Sequence, residues 1–429
     1  MMVCKLKTKL LMTAAMIAFV MAPALVMAGE VNMGKNAYTA EELAEVRAWE
    51  KTWVGKKIDQ SNVDQIGQFL PESYLGIYKD PQKWGAPPEG FHFTIVPYRP
   101  VQESKGFIEA TEKYNSQVKV DENGIITNMA EIAGRPFLEP KTGLEIMWNF
   151  ELNNHGDTYN YRKYTPNINP KTRTERMADQ EYWEFYFINR TELDPKPALP
   201  VKKNKKQYRR GMFMTMFLPA EFLNTRMYTL RHIDQSKQDV TYLWYNQFRR
   251  IRRLSTNQRT DSIDGSDLIY DDEYLWDGQL TRNNYTLKGK KDLLCSRNES
   301  LVGTTRTAGQ GMLNGHKFER CNLYVVEAVN KDPNYIYSKR VQYLDPETYL
   351  IMWTEIYDEK GRFWKCFGNF TRPLKTETGA MKPSIVGTVF NEFQRTHSGL
   401  SDSERIQPPR VSLPLNEKMF TISYLQKTY

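Results

Sequence analysis

The stretch YLWYNQFRRIRRLST, Tyr242 to Thr256, sets four arginines, Arg249, Arg250, Arg252 and Arg253, directly after a run of aromatics. Guanidinium groups beside rings can bind nucleic-acid phosphate, bind phosphate or carboxylate head groups of a lipid, or pair with acids inside a fold. Acids are close by. DSIDGSDLIYDDE, Asp261 to Glu273, carries Asp261, Asp264, Asp267, Asp271, Asp272 and Glu273. This run lacks the alternating ligands of an EF-hand, which leaves an irregular calcium loop or a set of turn caps and arginine partners. Local pairing of the two charge blocks is the simpler expectation, with Arg250 and Arg252 meeting Asp264, Asp267 or Asp271.

The sequence holds no G-x-S-x-G, H-E-x-x-H, C-x-x-C or P-loop pattern. His92, His155, His232, His316 and His397 stand singly, none four residues from another. No catalytic residue, metal or cofactor is therefore expected.

The chain begins MMVCKLKTKLLMTAAMIAFVMAPALVMAGE. Lys5, Lys7 and Lys9 precede an apolar segment, Leu10 to Ala22, and Val26-Met27-Ala28 ends in a small residue. That order reads as a secretory signal peptide cleaved after Ala28. Its loss removes three lysines and lowers the net charge from +8 to +5. An exported, mildly basic chain is not a nucleic-acid binder; anionic lipid suits it better. Cys295, Cys321 and Cys366 remain after cleavage. Cys295 and Cys321 form a possible disulfide if their strands are neighbours, and small buried fillers otherwise.

Elements that would position these groups are mostly strands. One helix is well marked: Thr39 and Glu42 make a capping box, and Leu43, Val46, Trp49 and Trp53 follow at helical spacing. Ser61–Leu70 reads as a second short helix, so 37–70 forms an N-terminal helical segment of one β-rich domain over 29–429. From Phe91–Tyr98 onward, aromatic-rich runs predict strands at Leu144–Leu152, Tyr182–Ile188, Gly211–Leu218, Met227–Ile233 and Val240–Leu254. Tyr285–Cys295, Lys317–Val329, Tyr337–Leu344, Tyr349–Tyr357 and Arg362–Phe370 continue the series. LDPETY predicts a type I turn, and YDEKGRFW places Gly361 where a hairpin needs a left-handed residue. Short loops make the last third an antiparallel meander. In YLIMWTEIYDE both faces carry bulky apolar groups, so both must be covered.

Three segments in order, Gly134 to Asp157, Tyr242 to Glu273 and Arg340 to Lys365, resemble a Gram-negative family catalogued as domain of unknown function 1329. Its members are often labelled outer-membrane lipoprotein-sorting proteins, similar in fold to the shorter LolA/LolB carriers. The resemblance implies an open, strongly curved antiparallel sheet, an unclosed barrel with helices plugging its concave side and a cavity for acyl chains. It also implies a periplasmic relay beside resistance-nodulation-type exporters and outer-membrane proteins. The functions that follow are a carrier for a lipid, lipoprotein or other hydrophobic molecule, or a non-catalytic scaffold of an export complex. Within this fold Trp148, Tyr242, Trp244 and Trp353 are the expected cargo contacts. Strict alternation along Val240–Leu254 would bring Arg250 and Arg252 to a cavity mouth, where they meet head groups.

Overall fold

The computed structural model describes residues 37–427, apart from 170–172, 256–258, 264, 302–303 and 305–313. The expected signal segment, Met1–Ala28, lies outside the described residues. Helix α1 (Ala40–Trp53) starts where the capping box requires, with the Thr39 hydroxyl accepting from the Glu42 amide and the Glu42 carboxylate accepting from Thr39. The expected second helix is a 3₁₀ segment, Val63–Phe69. Helix α2 (Glu72–Lys79) and helix α3 (Lys105–Tyr114) follow.

Leu144–Leu152, expected as a strand, is helix α4 (Gly143–Glu151). Its start carries the same signal as α1. Thr142 and Glu145 form a second capping box, which satisfies amides that a strand would have left to a ladder. The apolar run is continuous because α4 is buried nearly all round.

Two meanders make the sheet. Short strands β1 (Lys57–Ile58) and β2 (Phe93–Ile95) come first in the chain. Then β3 (Thr158–Asn169), β4 (Arg173–Tyr186), β5 (Tyr208–Leu218), β6 (Arg226–His232), β7 (Val240–Tyr245) and β8 (Arg250–Leu254) pair antiparallel in chain order. The second meander runs β9 (Asn283–Cys295), β10 (His316–Asn330), β11 (Tyr337–Leu344), β12 (Ile351–Asp358), β13 (Phe363–Lys375), β14 (Met381–Glu392) and β15 (His397–Asp402). β15 pairs with β3 and joins the two halves. β16 (Arg410–Val411) adds to β3, and β2 runs parallel to the start of β10. Among the described residues no ladder links β8 to β9, so the barrel stays open.

The hairpin glycine is present: Gly361 takes φ 73° between β12 and β13. LDPETY also turns, but one residue wider than the type I turn expected, with the Tyr349 amide donating to the Asp345 carbonyl at 2.6 Å and the Asp345 amide to the Leu350 carbonyl at 3.0 Å. Val240–Leu254 is not one strand. It folds back at Asn246–Arg249, with Arg249 at φ 46°, so Tyr245 pairs with Arg250 and Leu243 with Arg252. Asn246 is disfavoured in strands, and Phe248 stands exposed at the turn with no apolar surface to extend the ladder against.

The connection from β8 to β9 crosses the sheet. Its 3₁₀ turn Tyr270–Leu275 packs on β12 and β13, while Asp277 bonds Arg210 on β5 and Arg231 on β6. Asp272 meanwhile bonds Arg340 on β11. β11 and β6 stand eight places apart in the strand order. A flat sheet would separate them by roughly 38 Å at ~4.8 Å per strand. The Asp277 amide donates to the Asp271 carbonyl at 3.1 Å, so one compact segment reaches both strands. The sheet must therefore curl around it. Helix α4 packs on β9 beside the same crossing.

Strand β12 shows the two-sided cover that its sequence demands. Met352, Thr354 and Ile356 are buried on the side reached by the crossing. Trp353, pointing the other way, packs against Tyr74 of α2 with ring centroids 4.6 Å apart.

Candidate functional site

The first meander leaves a cleft on its concave face. Cross-strand register puts side chains in rows: Tyr182, Met214, Met227 and Leu243 share one row, with Arg252 next to Leu243 on β8. Met212 lies with Thr229, Thr241 and Leu254 in the row before it. Together with Met216 and Phe222 these residues, Arg252 excepted, line about 1170 Å³ of empty space, its open mouth included. Methionine thioethers are polarizable and unbranched, so such a wall adapts to apolar ligands of varied shape.

One end of the cleft is charged and closed. Arg231 donates to Asp277 at 3.0 Å and to Asp239 at 3.1 Å. Arg259 donates to Asp239 at 3.2 Å, Asp277 at 3.3 Å and Asp271 at 2.5 Å. Arg210 also donates to Asp277. Burial opposes the Asp277 charge, yet Arg210, Arg231 and Arg259 outweigh it and hold its carboxyl well below the usual range. Asp239 is held down in the same way by Arg231 and Arg259. His155 stacks on Tyr274 with centroids 4.4 Å apart, and burial pushes its ring down to about 3.

The acidic run thus finds its partners in the fold. Asp271 pairs with Arg259, Asp272 with Arg340 at 2.8 Å, Glu273 with Lys163 at 2.6 Å and Asp267 with His397 at 3.1 Å. Carboxylates already neutralised this way are poor calcium ligands. Asp264 lies outside the described residues. The expected pairing of Arg250 and Arg252 with this run is not found. Among the described residues, none of Arg249, Arg250, Arg252 and Arg253 has an ion-pair partner; Arg252 lies over the Tyr245 ring at 5.7 Å. The hairpin turn carries them away from the acids that follow in sequence.

Arg250 and Arg252 share the cleft-side face, because their partners Tyr245 and Leu243 line it. The four expected aromatics do not line it. Tyr242 and Trp244 alternate onto the opposite face, where Tyr242 meets Tyr228 at 5.5 Å. Trp148 is fully buried on α4 and donates its indole N–H to the Gly124 carbonyl at 2.9 Å. Trp353 is buried under α2 and donates to the Leu294 carbonyl. Aromatic size marked the core instead. The signal that was missed is Met-x-Met-x-Met, Met212 to Met216, one residue type at strand period on one face.

Cys295 and Cys321 do lie on neighbouring strands, β9 and β10, offset diagonally in register; both are buried and free, as is Cys366. Among the described residues no helix is long and apolar enough to cross a membrane, and no cluster of histidine, cysteine or acid is arranged to hold a metal.

An open, curled antiparallel sheet with an internal plug and a methionine-walled cleft is the class that the geometry defines. The family model for proteins of unknown function named DUF1329 matches residues 57–426, and the chain belongs to that family. The uncharacterized protein PA3922 of Pseudomonas aeruginosa is 24% identical over 324 residues, covering 72% of this chain and 67% of that one. A DUF1329 family protein from Desulfovibrio piger is 16% identical, spans 66% of this chain and 97% of its own, and superposes with a TM-score of 0.45. A domain described as an outer membrane lipoprotein-sorting protein, from Vibrio parahaemolyticus, shows 16% identity, 66% and 98% coverage and a TM-score of 0.46.

Proposed function

We propose that this protein is a periplasmic carrier that holds the apolar part of a lipid, a lipoprotein's acyl chains or another hydrophobic molecule in the methionine-walled cleft. The observation carrying this reading is the composition of that wall, with Met212, Met214, Met216, Met227, Leu243 and Leu254 around one open space. A well-packed structural core would have closed it. Cargo contacts come from these residues rather than from Trp148, Tyr242, Trp244 or Trp353. Arg250 and Arg252, on the cleft side of the edge strand, meet an anionic head group while the tail lies along the methionines. The chain is exported by its first 28 residues, and its donors and acceptors are an inner-membrane exporter and an outer-membrane protein.

The test is native mass spectrometry of protein purified from the envelope, followed by solvent extraction. A bound amphiphile is expected, and Met214→Gln with Met227→Gln should abolish it in a folded protein. If the purified protein carries no amphiphile and takes up no fluorescent fatty acid, the carrier reading fails.

A further inference from the structure

We infer that the β7–β8 hairpin is a docking element for an anionic lipid bilayer, a property independent of whether the cleft is loaded. Phe248 stands at the hairpin turn with 67% of its surface exposed. Arg249, Arg250, Arg252 and Arg253 follow it, all exposed and none in an ion pair among the described residues. An aromatic tip above a collar of unpaired cations fits one surface chemistry: the ring enters the boundary between head groups and tails, and the guanidiniums bind phosphates.

The surroundings support the same orientation. Between Arg226 and Ser255 the acids are Asp234 and Asp239, both in the β6–β7 turn at the far end of the ladder. The β5–β6 loop emerges at the same end as Phe248, since Arg226 pairs with Trp244, and it exposes Leu223 to 49%. Glu221 in that loop pairs with Arg176 at 3.9 Å, which offsets its charge. The loop's Phe222 and the hairpin's Tyr245 both line the cleft, so a bilayer meeting these tips would face the cleft's apolar end. β8 is also an edge strand whose cations discourage pairing with another sheet.

The experiment uses the full exported chain and sedimentation with vesicles, either phosphatidylethanolamine with phosphatidylglycerol or phosphatidylcholine alone. Binding to the anionic vesicles and loss of binding in high salt are expected. Phe248→Ser and the pair Arg249→Gln with Arg253→Gln are chosen because none of these side chains lines the cleft. Each lost arginine should weaken vesicle binding roughly fivefold, while fatty-acid uptake stays as in the parent. Phe248→Trp supplies a second readout, a blue-shifted emission on adding anionic vesicles. Parent protein that ignores anionic vesicles, or variants that bind them as the parent does, would overturn the docking role and leave the cleft reading standing.

Discussion

Replacing Asp277 by asparagine tests the closed end of the cleft most directly. Asp277 offers two oxygens to three guanidiniums, those of Arg210, Arg231 and Arg259. Arg210 and Arg231 are 7% and 2% exposed, so water does not replace the lost charge. Asp277→Asn would leave Arg231 with Asp239 alone, Arg259 with Asp239 and Asp271, and Arg210 with the field of buried Glu184. Breaking a buried pair from one side costs about 3–5 kcal/mol. Asp239→Asn removes the partner of two arginines that both keep Asp277, and its cost is nearer that of a lost charged hydrogen bond, about 2 kcal/mol. Urea midpoints at neutral pH, with unchanged slopes, measure both. The pH dependence has a definite sign. The folded Asp277 carboxyl lies below its unfolded value, so its contribution is complete above about pH 4 and fades as pH falls further. The gap between parent and Asp277→Asn should therefore narrow only in strong acid. An Asp277→Asn cost under about 1 kcal/mol, or a larger cost for Asp239→Asn, would refute the reasoning.

His155 should act as an acid-sensitive element. Its folded value of about 3 lies below the ordinary histidine range, so the unfolded chain gains a proton that the folded one refuses, and stability falls from about pH 6.5 downward. His155→Phe keeps the stack on Tyr274 and should flatten that slope in pH-dependent melts; an unchanged slope would count against it. Trp148→Ala and Trp353→Ala should each cost about 3–5 kcal/mol in urea unfolding, without a specific effect on lipid per folded molecule. Selective loss of lipid at full stability would return these two residues to the cleft.

How much could be read from the residues differs element by element. Short-range signals were sufficient for α1, whose capping box and apolar spacing fix its start, and for the turn at Gly361, where a left-handed backbone needs glycine. Alternation and short loops also gave an antiparallel sheet, and the two apolar faces of β12 required cover on both sides. At α4 two local signals compete: the apolar run Leu144–Leu152 suits a strand, while the capping box of Thr142 and Glu145 sets a helix, and the helix wins. Other features have no local signature. Whether Val240–Leu254 ran straight or turned at Phe248 depended on which strands its halves could pair with, and that reversal put Arg250 and Arg252 on the face of Leu243 and Tyr245 rather than that of Tyr242 and Trp244. The acids of Asp261–Glu273 could be counted from the sequence, but Arg340 and Lys163 meet them only because the sheet curls around the crossing. Composition determined the residues available for pairing and burial; the curl of the sheet, a sum of many small strand twists, decided which of them met.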